Sequence, residues 1–406
     1  MRKAIYIMYN FLIILVLYQN VIAEDIPPIA WTVIDSQYGR IGSAIAVDNN
    51  DNSFVTGETF EHYCWIQKFD SEGKSCWGPN IVSTNNAAGY GIAVDVNGDF
   101  YITGEMDCNN TENRIFIKKY NTNGNILWTE LVDTPIYGDD YGMGIAVDNS
   151  CVYVTGGQMF EPEGNFWFNW HCWTNKYSIN GNQLTGWPKT YPDQIPDGID
   201  HVDYWGTGIA LDSNGDIYII GQKYNMIESE TFDGSVDIFV RKYDTNGNLC
   251  WNQIIDGSEH INDYSGGIAV DRNNNAYITG SVDNKFWLRK HSANGGIFWT
   301  RPDENEININ YGSNGGIAVD INGNVYITVG SDLGASIRKY DTDGNQIWNK
   351  TLGGANGDYS NGVAVDSSGN SYITGYTSSN AYYTVKYNSS GSHVWNLTDA
   401  NGYIAY

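Results

Sequence analysis

The chain has 406 residues, of which 46 are glycine, 30 tyrosine and 14 tryptophan, whereas only 17% are charged. Abundant glycine and aromatic residues with few charges favour many short strands joined by tight turns, and they argue against a coiled coil or a disordered chain. The formal net charge of −25 argues against nucleic-acid partners and anionic membrane surfaces, because such a protein surface repels phosphate groups.

The N-terminal segment differs from the rest of the chain. Arg2 and Lys3 precede an apolar run, and the small-residue segment Val21-Ile22-Ala23 comes directly before Glu24. This arrangement predicts a secretory signal peptide over residues 1–23, with a retained transmembrane anchor as the alternative. We therefore expect a protein that is secreted, periplasmic or held at the cell surface, without membrane insertion after the signal is cleaved.

Export would permit disulfide bonds between some of the six cysteines. They contain no CxxC pair, so a zinc ribbon is not expected: Cys64, Cys76, Cys108, Cys151, Cys172 and Cys250. Several occupy matching positions in different repeats, and such positions do not generally face each other. Buried free thiols therefore stay open as the alternative to disulfides.

One motif organises the remaining chain: Gly-Ile-Ala-Val-Asp, a turn, and then aromatic-Ile-Thr-Gly. Its clearest copy is GIAVDVNGDFYITG at residues 91–104. Its aspartate recurs every 46 to 64 residues, at Asp48, Asp95, Asp148, Asp212, Asp271, Asp320 and Asp366. Self-similarity at this period is typical of stacked supersecondary units.

Each repeat contains four strand patterns, which we call A to D in chain order. Strand A is Ile-Ala-Val-Asp; its small residues and preceding glycines predict the innermost strand, where neighbouring sheets converge. Strand B is aromatic-Ile-Thr-Gly, and strand C ends in a lysine that we expect to pair with the strand A aspartate. Strand D carries one tryptophan, which is predicted to pack and not to bind a ligand.

The turn between strands A and B follows an Asp-x-Asn-Gly pattern. Asparagine and glycine suit a tight hairpin, whereas a calcium loop would need a closing glutamate that this pattern lacks. We therefore expect no cofactor, with calcium as the alternative. The clearest copies are Asp95–Asp99, Asp212–Asp216 and Asp320–Asn324.

Four-stranded units of this kind bury both faces only when they are arranged radially. The sequence therefore predicts an all-β fold: a single, monomeric domain over residues 24–406, built as a seven-bladed β-propeller of four-stranded antiparallel blades. Counting Trp31, there are eight tryptophan strands for seven A–B–C sets. Either Trp31 or Trp395 is expected at the outer edge of the last blade. Residues 401–406 resemble a further strand A, so an incomplete eighth blade is the alternative.

The motif GIAVDxNGxxYITG followed by (I/V)RKYDTNGN resembles the secreted bacterial and archaeal propeller repeats called SBBP repeats, and it is also similar to NHL repeats. The resemblance covers roughly residues 40–400 and is strongest in repeats 2, 4, 6 and 7. It implies the propeller fold. It does not imply one function, because propellers of this kind include enzymes, adhesins and protein-binding scaffolds.

A meander places the B–C and D–A loops on one side of the disc, which we call the loop face, and variable loops often carry recognition. Asp-Tyr pairs begin four strands A and are predicted to ring the mouth of the central channel, where they would suit a cation or a polyhydroxylated ligand. The alternative is that the tyrosines pack between blades and the aspartates are solvated. The pairs are Asp140-Tyr141, Asp203-Tyr204, Asp263-Tyr264 and Asp358-Tyr359.

The longest loops, in repeats 3 and 4, place aromatic residues beside carboxylates. Flat rings suit the apolar face of a sugar and carboxylates suit its hydroxyl groups, although these aromatics could instead pack between blades. The ligand-binding candidates here are Trp167, Trp170, Asp200, His201, Asp203 and Tyr204.

These patterns favour a binding or scaffold module that recognises a glycan or an extracellular protein through the loop face of blades 2 to 4. The alternative is a glycoside hydrolase or lyase, or a metal-assisted hydrolase, at the channel mouth; a purely structural role in a cell envelope is the third possibility. The sequence contains no HExxH, GxSxG or Walker motif, so no catalytic residue is assigned. A metal-assisted hydrolase could use His201 with Asp200 and Asp203 as metal ligands.

Overall fold

A computed structural model shows seven β-sheets arranged in a ring. It describes residues 20–21, 32–34, 40–83, 86–107, 112–132, 138–160, 169–192, 202–225, 235–258, 261–302, 314–331, 334–352, 358–377 and 381–399. Over these ranges all regular structure is β-strand, and no helix capable of crossing a membrane occurs in them. Of the predicted signal peptide, only Asn20 and Val21 fall within the described ranges.

The strands, in chain order, are β1 (Asn20–Val21), β2 (Thr32–Ile34), β3 (Arg40–Val47), β4 (Ser53–Thr59), β5 (Cys64–Phe69), β6 (Ser75–Ser83), β7 (Ala87–Val94), β8 (Phe100–Asp107), β9 (Asn113–Tyr120), β10 (Ile126–Val132), β11 (Tyr141–Val147), β12 (Cys151–Phe160), β13 (Asn169–Ser178), β14 (Lys189–Tyr191), β15 (Val202–Leu211), β16 (Ile217–Asn225), β17 (Val236–Tyr243), β18 (Leu249–Ile255), β19 (Tyr264–Val270), β20 (Ala276–Val282), β21 (Lys285–His291), β22 (Ile297–Pro302), β23 (Asn314–Val319), β24 (Val325–Ser331), β25 (Gly334–Tyr340), β26 (Gln346–Thr351), β27 (Tyr359–Val365), β28 (Ser367–Ser368), β29 (Ser371–Tyr376), β30 (Tyr382–Tyr387) and β31 (His393–Asp399).

Each sheet is a four-stranded antiparallel meander, as predicted. Blades 1 to 6 are β3–β6, β7–β10, β11–β14, β15–β18, β19–β22 and β23–β26, and blade 7 is β27, β29, β30 and β31. The first strand of each blade contacts the first strand of the next, and β27 contacts β3, which closes the ring. The seven-bladed propeller is therefore confirmed.

The N-terminal strand β2 lies on the outer edge of blade 7. It pairs in parallel with β31, where Thr32 lies opposite Leu397, so Trp395 belongs to the fourth strand and the N-terminal segment supplies a fifth. The short strands β1 and β28 also pair in parallel. Trp31 and residues 401–406, on which the eighth-blade alternative depends, lie outside the described ranges.

The Thr-Gly at the end of the strand B pattern is explained by a close backbone approach. Strand A contains a register shift at its Gly-x-Gly segment, for example between Gly89 and Gly91. In six blades a Cβ on the strand B glycine would come within 1.8 to 2.4 Å of a strand A carbonyl oxygen; at Gly104 that atom is the oxygen of Ala88. Only glycine fits there without a shift of the backbone. The innermost position of strand A is confirmed.

The strand A aspartate organises the turn that follows it. In blade 2 the Oδ1 atom of Asp95 accepts hydrogen bonds from the backbone N–H groups of Asn97 and Asp99 at 2.9 and 3.1 Å. Its Oδ2 atom accepts from the Tyr101 hydroxyl at 3.0 Å and lies 3.8 Å from the Lys119 Nζ. Both oxygens are thus engaged in holding the hairpin.

The predicted ion pair between strand A and strand C is present in six blades. Its Nζ–Oδ2 distances range from 3.1 to 4.0 Å in Lys68–Asp48, Lys119–Asp95, Lys242–Asp212, Lys290–Asp271, Lys339–Asp320 and Lys386–Asp366. In blade 3 the Lys176 ammonium instead donates to the Thr245 carbonyl at 3.0 Å. The pair is structural, because both partners are almost fully buried in each of the six blades.

A lysine and a tryptophan of one blade converge on one carbonyl of the next. In blade 5 the Lys290 Nζ and the Trp299 indole N–H donate to the Thr342 carbonyl at 3.1 and 3.0 Å. The same two-donor contact joins blades 1 to 2, 4 to 5, 6 to 7 and 7 to 1. The strand D tryptophans therefore pack, as predicted, and in these five joints they also donate a hydrogen bond to the next blade.

The described cysteines are free thiols: Cys64, Cys76, Cys151, Cys172 and Cys250. Cys64 and Cys172 occupy matching buried positions, whereas Cys76 and Cys250 are exposed on strand D. The alternative of buried free thiols is thus observed for Cys64, Cys151 and Cys172, whereas Cys76 and Cys250 are free but exposed. Cys108 lies outside the described ranges.

Candidate functional site

The four aspartates of the Asp-Tyr pairs are buried, each with 7% or less of its surface exposed. Asp140 accepts a hydrogen bond from the Met159 backbone N–H at 3.2 Å, and Asp203 accepts one from the Trp170 backbone N–H at 2.7 Å. The aspartates are therefore not solvated, and these two carboxylates hold the backbone at the adjoining ends of β12 and β13 in blade 3.

Asp263 has the same kind of role in blade 5. It accepts hydrogen bonds from the backbone N–H groups of Gly257 at 2.6 Å and Asp283 at 3.0 Å. Burial raises its pKa to about 6, although the two backbone donors act in the opposite direction. Its oxygens face the protein backbone, so this carboxylate ties two loops together.

The tyrosines of the same pairs are placed unequally. Tyr141 and Tyr204 are buried, Tyr264 is partly exposed, and Tyr359 is 37% exposed. Tyr359 stacks on Tyr376 with ring centroids 5.0 Å apart, far around the ring from blades 3 and 4. The predicted residues thus do not form one continuous ring of ligands, and those of blades 3 and 4 are the ones that meet.

Three aromatic rings from three strands meet at the loop face of blades 3 and 4, and we call them the aromatic platform: Tyr141 (β11), Trp170 (β13) and Trp205 (β15). The two tryptophan centroids are 4.3 Å apart, and the Tyr141 centroid lies 5.3 Å from each of them. Both tryptophans are partly exposed. The hydrogen bond from the backbone N–H of Trp170 to the Asp203 carboxylate fixes β13 against β15 and so keeps the two indoles together.

Trp205 is a platform residue that was not among the sequence candidates, although it directly follows Asp203-Tyr204. Alternation along β15 sends Tyr204 and Trp205 to opposite faces of the sheet. Tyr204 packs between blades 3 and 4, against Tyr191 of blade 3 and Phe239 of blade 4, with centroids 4.5 and 5.9 Å away. The residue after the Asp-Tyr pair, and not the tyrosine itself, therefore reaches the platform in blade 4.

An acidic cluster lies between blades 1 and 2, where Glu105 interacts with Glu58 and Asp139. Glu105 on β8 is 5% exposed, and its two carboxylate oxygens accept hydrogen bonds from the Tyr90 hydroxyl and from the Asn113 side chain, the latter at 2.7 Å. Burial raises the pKa of Glu105 to about 8, and the negative charges of Glu58 and Asp139 act in the same direction, whereas the hydrogen bonds from Tyr90 and Asn113 act in the opposite direction.

Glu58 is the matching residue of blade 1 and forms the accessible edge of the cluster. Its carboxylate pairs with the His62 ring, and 23% of the Glu58 side chain and 60% of the His62 side chain are exposed. Burial raises the pKa of Glu58, and the interaction with His62 lowers it. The sequence signal was available, because Thr-Gly is followed by glutamate only in repeats 1 and 2.

Three candidates, Trp167, Asp200 and His201, lie outside the described ranges. Within the described ranges, no group of three or more histidine, cysteine, aspartate or glutamate side chains is arranged to hold a metal ion. His171, next to Trp170 on β13, has its pKa lowered by burial. The described part of the site is thus aromatic and carboxylic in character.

Comparison with known proteins supports the fold. Residues 257–284 and 347–383 match the family model described as SBBP, a beta-propeller repeat, and the chain is a β-propeller repeat protein. The search of curated proteins found no match.

Solved structures with a similar shape share little sequence with this chain. A puromycin hydrolase mutant complexed with PGG has a TM-score of 0.57 at 11% identity, with coverage of 93% of this chain and 56% of the other. A structure from a study of two prolyl endopeptidases has a TM-score of 0.52 at 9% identity, covering 90% and 51%. A protein of unknown function from Bacteroides caccae has a TM-score of 0.44 at 11% identity, covering 70% and 90%. This chain spans about half the length of the two hydrolases, and at these identities the likeness concerns the fold alone.

Proposed function

We propose that this β-propeller repeat protein is an exported binding module that holds a carbohydrate chain on its loop face. The observation that carries the proposal is the aromatic platform, in which two partly exposed indoles from blades 3 and 4 lie 4.3 Å apart. Ligand sites are lined mainly by aromatic and apolar side chains, with a few polar groups that fix orientation. Two adjacent indoles offer an apolar surface suited to the C–H face of a pyranose ring.

Polar groups beside the platform support the same ligand class. Tyr90 packs with Tyr141 and Met143 in one cluster that the two tryptophans also contact. Glu58 interacts electrostatically with Tyr90, and its carboxylate and the His62 ring are accessible. Hydroxyl groups of a sugar chain that extends from the platform towards blade 1 would find hydrogen-bond acceptors there. The net charge of −25 disfavours polyanionic chains, so the proposed ligand is a neutral glycan.

The experiment is a glycan array followed by calorimetry on the strongest ligand, with Trp170→Ala and Trp205→Ala as test variants. Each truncation should weaken binding at least tenfold, which corresponds to about 1.4 kcal/mol. Phe298→Ala is the matched control, because it removes an aromatic ring that is 60% exposed on the rim of blade 5. Undiminished binding in both tryptophan variants would place any ligand elsewhere. Absence of every glycan signal would contradict the carbohydrate proposal.

A glycoside hydrolase is the second candidate, and the Glu58 and Glu105 pair favours it. Such enzymes need one carboxyl that stays protonated near neutral pH and a second that is ionised. Against this role, Glu105 is 5% exposed and both of its oxygens are already occupied within the protein. Reducing-end analysis of the bound glycan after incubation tests the candidate, since turnover that Glu58→Gln abolishes would favour the enzyme over the binding module.

A further inference from the structure

We propose that the outer strand of blade 4, β18, pairs with the same strand of a second copy of this chain, so that the protein forms a two-fold symmetric dimer in place of the monomer expected from the sequence. The dimer would form whether or not the loop face binds a glycan. Three features favour it: the protection of the other outer strands, the exposed uncharged side chains of β18, and the strand already added to blade 7.

The outermost strand of a blade leaves one row of backbone N–H and C=O groups without a neighbouring strand. Such an edge pairs readily with another chain unless it is protected. Blade 7 shows that this edge accepts a strand, because β2 lies beside β31 with Thr32 opposite Leu397. Leu397 stands two residues after the strand D tryptophan, Trp395. This position therefore marks where an added strand lies on the edge of a blade.

In five other blades the residue at this position opposes pairing. A proline has no N–H to donate, and a charged side chain on an edge strand disfavours association with another strand. In chain order these residues are Pro79 in blade 1, Glu130 in blade 2, Lys189 in blade 3, Arg301 in blade 5 and Lys350 in blade 6. A proline also precedes Lys189, and another follows Arg301.

Blade 4 lacks this protection. The matching residue is Gln253, and β18, with the sequence LCWNQII, contains neither a charged residue nor a proline. Leu249 and Ile254 are 48% and 41% exposed, and β18 is the last strand of its sheet in the part of the chain that the structure describes. In a chain with a net charge of −25, this strand lets two copies meet without placing like charges in contact.

The two-fold symmetry restricts the register of the pair. Opposite residues in an antiparallel pair share one hydrogen-bonding class, so the axis must pass through a residue that lies opposite its own copy. The middle residue of β18 is the exposed Asn252, and the strand is regular from Trp251 onward, because its register shift against β17 lies before that residue. With Asn252 on the axis, Cys250 lies opposite Ile254. Small apolar side chains then meet on the exposed face, and the two central amides can hydrogen-bond to each other.

The strength of the dimer follows from its small contact. One strand and a few side chains from each copy make an interface at the low end of the usual range, so the dimer should dissociate on dilution. The negative charge of the two copies opposes their approach, and salt screens this repulsion. Added salt should therefore strengthen the dimer, whereas an association driven by ion pairs would weaken.

The first test is sedimentation velocity on the full chain, from low micromolar to sub-millimolar concentration. The wild type should pass from monomer to a species of twice the monomer mass. Ile254→Lys and Gln253→Lys should each raise the dissociation constant at least about tenfold, because each places like charges close together across the axis. Lys350 at the position of Gln253 shows that the fold accommodates lysine there. The matched control is Leu131→Lys in blade 2, where Leu131 is 43% exposed, and it should dimerise like the wild type.

The second test measures the register with Asn252→Cys, in a background that carries Cys76→Ser, Cys108→Ser and Cys250→Ser. Opposite residues of an antiparallel pair have Cα atoms about 4.5–5.5 Å apart, which is within the range of a disulfide. Mild oxidation should therefore link this variant into a dimer on a non-reducing gel. Thr129→Cys, the matching change on β10, should stay monomeric under the same oxidation.

A wild-type protein that stays monomeric at every concentration would overturn the dimer. Protection of the β18 amides from hydrogen exchange in that monomer would show that another segment of the chain covers the edge. A dimer that Leu131→Lys weakens and Ile254→Lys leaves intact would place the contact on blade 2 and would equally contradict the proposal. Dimerisation without a cross-link through Asn252→Cys would reject the pairing of β18 about this residue.

Discussion

Replacing Glu105 with glutamine should make the protein more stable at alkaline pH. Burial raises the pKa of this carboxyl from 4.5 to about 8 in the folded protein, whereas the unfolded chain releases the proton near pH 4.5. Between these values the folded protein retains a proton that the unfolded chain has lost. The free energy of unfolding of the wild type should therefore fall as the pH rises through this window.

The magnitude follows from the difference between the two pKa values. One pKa unit corresponds to about 1.36 kcal/mol, so the ionised carboxylate should cost the folded state roughly 3–5 kcal/mol by pH 9. No large discount for solvent screening applies, because the side chain is 5% exposed. Glutamine carries no charge and keeps hydrogen-bonding groups for Tyr90 and Asn113. We expect Glu105→Gln to lie within about 1 kcal/mol of the wild type at pH 4.5 and to exceed it by roughly 3–5 kcal/mol at pH 9.

The assay is urea unfolding followed by circular dichroism at pH 4.5, 7 and 9 for the wild type, Glu105→Gln and the control Glu72→Gln. Glu72 is exposed on the turn after β5, so its variant should follow the wild-type curve at all three values. A gap between wild type and Glu105→Gln that stays constant with pH would refute the reasoning, since a neutral packing effect would produce that result.

Three further predictions concern the scaffold. Trp251→Phe keeps an aromatic ring but removes the N–H that donates to the next blade, and it should lower the free energy of unfolding by about 1 kcal/mol in urea titrations. Gly104→Ala forces a Cβ to within 1.8 Å of a carbonyl oxygen, so it should lower the melting temperature by many degrees. In the control Gly296→Ala the new Cβ meets only a serine hydroxyl at 3.1 Å, so this variant should be tolerated. Equal melting curves for the two variants would contradict this account. Burial raises the pKa of Cys64 to about 12, so maleimide at pH 8 should label the exposed Cys76 and leave Cys64 unmodified until urea is added, as mass spectrometry would report.

The scaffold could be predicted because its interactions repeat. Each blade has its own copy of an aspartate such as Asp95, a lysine such as Lys119 and a tryptophan such as Trp128, so seven imperfect copies point to one geometry. The lysine–aspartate pair, the packing tryptophan and the innermost strand A are all confirmed. Local rules for turns and alternation were sufficient, since every one of these contacts is made within one blade or with the next.

The site was only partly predictable because it depends on contacts between loops that do not repeat. Tyr141 and Trp170 were named as candidates, whereas Trp205, in the same aromatic and acidic segment as Asp203 and Tyr204, was not chosen although it completes the platform. Asp203 carries a carboxylate of the kind that binds ligands, yet this carboxylate accepts a hydrogen bond from the backbone N–H of Trp170. In the sequence, Glu105 is only a change of residue type after Thr-Gly. Its raised pKa comes from burial between two blades, which the alternating pattern of one strand does not reveal.

The joint between blades 7 and 1 has the same two-donor contact as the joints between blades 1 and 2, 4 and 5, 5 and 6, and 6 and 7. Lys386 and Trp395 donate to the Ser71 carbonyl at 3.1 and 3.2 Å, just as their counterparts do elsewhere in the ring. In these five joints the contact therefore does not distinguish the closing pair of blades from the other pairs. The number of blades then depends on the centre of the ring, where the small side chains of strand A set how closely neighbouring blades approach. Duplication or loss of a repeat during evolution would preserve this contact between the remaining blades. The ring would close only when the angle between neighbouring blades allowed it.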